Sequence, residues 1–348
     1  MSYISFQPND YFNTKLYTGN GSAGNSITGV GFQPDLIWIK NRTNTESHAL
    51  FDAVRGVTKR LHPNVSGVEE TNANTVTAFG TDGFTVGTNP GINGNGISTV
   101  AWNWKANGQG SSNTDGSITS TVSASATSGF SIVKYTGTGS NATVGHGLGV
   151  VPNIVLVKRL DATSDWRMYH SAAGAGSPAT KQLFLNTTGA EDDDNTIWND
   201  TAPTSSLFTV GTNTGGNASG GTYVAYCFAQ KSGFSSMGSY TGNGSTDGTF
   251  VYTNGMKPAF VIIKGSSNTE NWHMYDNKRD TGNPTDQALQ PNTTSAEFTE
   301  TNVLDFLSNG FKLRVSGAGH NGSGVSYIYM AFGEEPLVSS NGVPAVAR

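Results

Sequence analysis

Cysteine is almost absent: Cys227 is the only one in 348 residues. No internal disulfide can form. The residue sits in the apolar run Tyr223-Val-Ala-Tyr-Cys-Phe228 and reads as a small buried hydrophobe, made in a reducing cytoplasm. Charge is also scarce, with 20 basic and 25 acidic residues and a net charge of −5. There is no basic stripe, so a nucleic-acid partner is not expected. No apolar run is long enough to span a membrane, and Met1–Pro8 has neither the basic nor the apolar region of a secretory signal. Neither membrane insertion nor ordinary secretion is expected. Helical periodicity is missing from every segment longer than ten residues, although Ala296–Phe306 has room for one or two turns.

What is present is glycine, small polar residues and repetition. The 45 glycines suit an all-β chain with many turns, while 17 Phe and 35% apolar residues argue for packed cores rather than disorder. The signature Tyr-Thr-Gly-x-Gly-Ser occurs at Tyr17–Ser22, Tyr135–Ser140 and Tyr240–Ser245, spaced 118 and 105 residues apart. About fifteen residues later comes Gly-apolar-x-Pro, at Gly31–Pro34, Gly149–Pro152 and Gly255–Pro258. Each Pro is followed six positions on by a lysine: Lys40, Lys158 and Lys264. The period is too long for a solenoid unit and is the size of a small domain.

The segments Asp35–Lys40, Asn153–Lys158 and Ala259–Lys264 are short, apolar on both faces and β-branched, and predict central strands. Closing strands are predicted at Val100–Lys105, Val224–Ala229 and Ile328–Gly333, with Val100, Trp102 and Trp104 on one face. A third shared element centres on Phe84, Phe208 and Phe311. These patterns predict three tandem antiparallel β-sandwich domains of jelly-roll-like type, over 15–106, 129–231 and 232–336, each with its own core. Residues 107–128 read as a Gly/Ser/Thr-rich linker, flexible in its first half and able to form an edge strand in its second. Residues 1–14 read as a docking arm with Tyr3, Phe6, Tyr11 and Phe12 as its teeth, and 337–348 as a tail.

Chemistry is harder to find. No two of the six histidines share a ligand-like spacing, and His48, His170 and His273 fall at shifted positions in related elements. The acidic run Glu191–Asp194 lacks the spaced pattern of a calcium loop and reads as a solvated loop. Gly19-Asn-Gly21 does not continue as a phosphate loop. The carboxylates Glu69, Glu70, Glu297 and Glu300 do not recur in register along the sequence, which weakens a glycosidase reading. The three lysines suggest strand ends whose charge reaches water, rather than a ring of ammoniums for an anion. Trp166, Trp198 and Trp272 lie in polar stretches and are candidate platforms for stacking on a glycan. No catalytic residue, cofactor or metal site is predicted.

Together the three signatures, the stretch Asn113–Ser123 and the ending Tyr327–Phe332 with Glu335-Pro336 resemble a family of repeat proteins in virions of tailed bacteriophages, particularly those of marine and cyanobacterial hosts. The first repeat departs from that pattern with Trp102-Asn-Trp-Lys105 in place of the Glu/Pro ending. The resemblance implies a non-enzymatic tail fibre, head fibre or capsid decoration protein, assembled in the host cytoplasm. It implies other virion proteins as partners, a homo-oligomer such as a trimer, and contact with host-surface glycan. The rival expectations are a lectin-like adhesin and a polysaccharide depolymerase.

Overall fold

The computed structural model describes residues 7–334. The protein is almost entirely β, built from several antiparallel sheets. The same four-strand order appears three times. In the first repeat it runs Phe12–Thr18, Ser98–Trp104, Leu36–Asn41, Ala49–Asp52. In the third it runs Ser235–Thr241, Ser326–Phe332, Phe260–Gly265, His273–Asp276. In the second, Phe130–Thr136, Thr222–Phe228, Ile154–Arg159 and Arg167–His170 form the middle of an eight-stranded sheet. The register also repeats: Trp104 lies between Phe12 and Leu36, Phe228 between Phe130 and Ile154, and Phe332 between Ser235 and Phe260.

The predicted central and closing strands are therefore present, and their burial on both faces has a specific cause. One face of each four-strand unit covers the core of its own repeat. Ile37, Ile39 and Ala101 pack with Ile27, Phe84 and Val86; Val155, Ala225 and Cys227 pack with Phe208 and Val210; Ile263, Tyr329 and Ala331 pack with Phe311 and Leu313. The opposite faces meet one another. Val100, Trp102 and Trp104, then Val224, Tyr226 and Phe228, then Ile328, Met330 and Phe332 all belong to one hydrophobic cluster. At its heart Trp104, Phe228 and Phe332 form a triangle of edge-on rings, with centroids 6.4, 5.6 and 5.8 Å apart.

This arrangement extends the expectation of three separate cores: each repeat has its own, and a further one is shared among them. The alternation did place Val100, Trp102 and Trp104 together, but their face is shared among the repeats. A strand that is apolar on both faces needs two covers, and a single sandwich supplies only one. The second covers differ between repeats: three strands in the first, two in the second (Ala142–Gly145 with Leu207–Val210) and four in the third.

Three further expectations change. The stretch 107–128 contains strands Ser111–Asn113 and Ser120–Ser125, which extend the second repeat's sheet, so it is not a flexible linker. In the arm, Phe12 is fully buried and stacks on Phe332 at 5.1 Å, while Tyr11 packs edge-on against Phe234; Tyr3 and Phe6 lie outside the described residues, as does the tail 337–348. The stretch 296–306 holds no helical turn, because Phe298–Leu307 is a strand pairing with Gly310–Leu313. Among the described residues, no helix is long and apolar enough to cross a membrane.

Candidate functional site

The Tyr-Thr-Gly-x-Gly-Ser signature is a clasp around a buried asparagine. Asn93, Asn217 and Asn321 occupy equivalent places, and each is fully buried. The backbone N–H of the signature's fourth residue donates to the asparagine Oδ1, from Asn20 at 3.0 Å, Thr138 at 2.8 Å and Asn243 at 3.0 Å. The amide donates back to the signature's last carbonyl, that of Ser22, Ser140 or Ser245. The signature tyrosines Tyr17, Tyr135 and Tyr240 donate to the carbonyls of Ile92, Gly216 and His320. The third residue must be glycine. A Cβ on Gly19, Gly137 or Gly242 would lie 2.2–2.4 Å from a carbonyl oxygen of the facing loop. The motif thus closes each repeat around its buried asparagine.

The remaining recurrent residues join the repeats in a cycle. The ring nitrogens eight residues beyond each lysine reach a carbonyl in the preceding repeat. Trp166 Nε1 donates to His62 O at 3.0 Å, Trp272 Nε1 to Phe184 O at 3.0 Å, and His48 Nε2 lies 3.1 Å from Gln290 O. Trp166, Trp198 and Trp272 are all buried, with exposures of 0%, 2% and 3%, so none offers a face to a sugar. Their polar sequence neighbours misled, because a polar flank does not prevent the indole itself from being buried. Backbone bonds repeat the cycle: Glu69 N donates to Leu160 O, Glu191 N to Ser266 O and Glu297 N to Arg42 O. The carboxylates Glu69, Glu191 and Glu297 do recur in register, but as interface residues. Glu69 meets Arg55, Glu297 meets Arg42 and Arg279, and Glu191 accepts from Gly174 N.

The lysines differ from both readings of the sequence. Lys40, Lys158 and Lys264 are completely buried, and burial lowers each ammonium to a pKa of about 8. Their charge meets backbone carbonyls. Lys158 Nζ donates to Ser164 O at 2.7 Å and, across the interface, to Ser66 O at 3.0 Å. Lys40 Nζ donates to Asn41 O at 2.7 Å, with Thr294 O of the third repeat at 3.4 Å.

One cluster breaks the threefold pattern. In the third repeat, strand His273–Asp276 presents His273 and Tyr275, Phe298–Leu307 presents Glu300, and the loop before Asn321 presents His320. His273 Nε2 lies 3.7 Å from Glu300 Oε1, and His320 Nε2 lies 3.4 Å from Glu300 Oε2. The three ligand-type atoms fall within 4.8 Å of one another. Tyr275 donates its hydroxyl to Glu300 and sits 2.7 Å from His320 Nε2. The two imidazole rings are 4.1 Å apart. Burial lowers both imidazoles, His273 to about 4, so they are neutral at physiological pH. Burial also raises the Glu300 carboxyl, against the opposing hydrogen bond from Tyr275. Glu300 and His320 line a groove floored by Val303 and Val315 and flanked by Arg314 and Ser316.

At the equivalent positions the other repeats differ. The second carries Arg167 and Asp194, 4.0 Å apart, with Gln182 accepting from Arg167 at 2.6 Å. The first carries Ala49 and Asn72. The sequence analysis missed the cluster because its members are separated by 27 and 20 residues and share no spacing rule. The signal that could have found it was the substitution of an Arg/Asp pair by His/Glu between repeats aligned on their lysines.

No curated protein and no solved structure matches the chain. A profile of the DUF7483 family, described as a domain of unknown function, matches residues 7–336 and so takes in all three repeats. The chain belongs to the DUF7483 family.

Proposed function

We propose that the chain is a non-enzymatic structural protein of a tailed-phage particle, a fibre-type appendage or a capsid decoration, built from three copies of one β unit. The observation that carries this reading is the fate of the recurrent residues. The tyrosines, glycines and asparagines of the clasp, the three lysines, and the glutamates of the interface all hold the fold or join one repeat to the next. Repetition of this kind builds a rigid body and leaves no active centre common to the repeats. Homo-oligomerisation and contact with other virion proteins belong to this proposal, with the sheet faces turned away from the shared core as the surfaces that would meet neighbours. The lectin-like reading loses its main support, because Trp166, Trp198 and Trp272 are buried.

The test is electron cryomicroscopy and quantitative mass spectrometry of purified particles from a lysate in which the chain is made. A regular copy number per particle and density matching a three-lobed β body are expected. Particles that assemble completely without the chain, with the chain left in the soluble fraction, would overturn the proposal.

A further inference from the structure

We propose that His273, Glu300 and His320 bind a divalent transition-metal ion of the zinc class, with one coordination position open to the groove beside Arg314. Two imidazoles and one carboxylate are the donor set that such ions take in three-ligand sites. The spacing fits. Ligand atoms held tetrahedrally at about 2.0–2.1 Å from zinc are roughly 3.3–3.4 Å apart. The two Nε2 atoms lie 3.4 and 3.7 Å from different oxygens of the Glu300 carboxylate, and one ligand atom of each residue falls within 4.8 Å of the others, so binding draws the three side chains together.

Charge supports the same conclusion. In the second repeat, the carboxylate of Asp194 faces the guanidinium of Arg167. In the third repeat, the arginine position is His273 and no Lys or Arg among the described residues pairs with Glu300. A half-buried carboxylate beside two imidazoles thus lacks the cation that its counterpart has, and a metal ion supplies it. The surroundings are also prepared. Tyr275 holds Glu300 by a hydrogen bond, as outer groups orient ligands in metal sites. Gly319 lies against His273, where a Cβ would come within 3.0 Å of the imidazole Cε1. The ion displaces two contacts: Gln290 Nε2, 3.3 Å from His273 Nε2, and the Tyr275 hydroxyl, 2.7 Å from His320 Nε2. The proposal and the particle role rest on different residues, so either can fail alone.

The test uses the full chain, stripped with a chelator and titrated with Zn²⁺ by calorimetry and with Co²⁺ by visible absorption. One ion per chain is expected, with the intense bands of four-coordinate cobalt. Glu300→Gln keeps an acceptor for Tyr275 and should weaken binding at least tenfold, as should His320→Ala. His62→Ala removes the surface His62–Glu70 pair, 3.2 Å apart, and should leave binding unchanged. Absence of stoichiometric binding in the parent, parental affinity in Glu300→Gln, or loss of binding in His62→Ala would each overturn the site.

Discussion

The centre and the rim of this molecule have diverged to different degrees. At the centre, three sheets of identical strand order meet, and Trp104, Phe228 and Phe332 form a nearly symmetric triangle. Away from it, the covering sheets have three, two and four strands, and on the fourth strand of each central sheet the position at the start of the strand carries Ala49, Arg167 or His273. A three-way core couples every residue to two other repeats, so a change must suit all three at once. A covering sheet answers only to its own repeat. Chemistry specific to one repeat is therefore found where a central sheet meets its own cover, as in the His273–Glu300–His320 cluster.

The sharpest way to break this comparison is at the triangle. Trp104→Ala should cost about 3–5 kcal/mol, and it should destabilise the whole chain in a single calorimetric transition. Separate transitions, with two left at their parental temperatures, would show that the centre does not couple the repeats. Charge offers the next test. Arg279 and Asp276 are both fully buried and 2.5 Å apart, and Trp102 Nε1 also donates to Asp276 at 3.1 Å. Arg279→Met leaves Asp276 buried without its cation and should cost about 3 kcal/mol or more by denaturant unfolding. The rim pair Arg314–Asp305 is more exposed, and Arg314→Met should cost under about 1 kcal/mol. Equal losses would erase the distinction.

The clasp lies between these extremes. Asn217→Ala removes donors to Ser140 O and Gly211 O and an acceptor for Thr138 N, and should cost about 1–3 kcal/mol while leaving the other two clasps intact. The smallest effect is a pH dependence across the centre. His170 is neutral: Nδ1 accepts from Ala172 N and Nε2 donates to Tyr329 O of the third repeat. Burial lowers its pKa from 6.5 to about 4, so between those values the unfolded chain binds the extra proton. Stability contributed by neutral His170 is complete above pH 6.5 and is lost as pH falls toward 4. Melting temperatures measured across that interval should fall less steeply for His170→Gln than for the parent; identical slopes would remove His170 from the account.

Much of the fold was legible in the sequence. The strands Leu36–Asn41, Ile154–Arg159 and Phe260–Gly265 announced themselves by β-branched runs after Pro, because strand preference and burial act within a few residues. The clasp was legible as a motif but not as a mechanism, since the asparagine it encloses lies some 75 residues away in each repeat. The candidate site was hidden for the same reason: two strands and a loop bring together residues that no local pattern connects.

By itself the sequence determined an antiparallel β chain in three related parts, with strands that are apolar on both sides and glycines where a loop must touch its neighbour. Tertiary structure decided what covers those second sides. Burying a face requires a partner surface, and alternation along a strand says that a face is apolar without saying whose surface meets it. The docking of the three sheets turned Trp166 and Trp272 inward and brought Lys158 against Ser66 of the first repeat. Folding within each repeat drew the three lysines onto carbonyls and, in the third, set His273 and His320 on either side of Glu300.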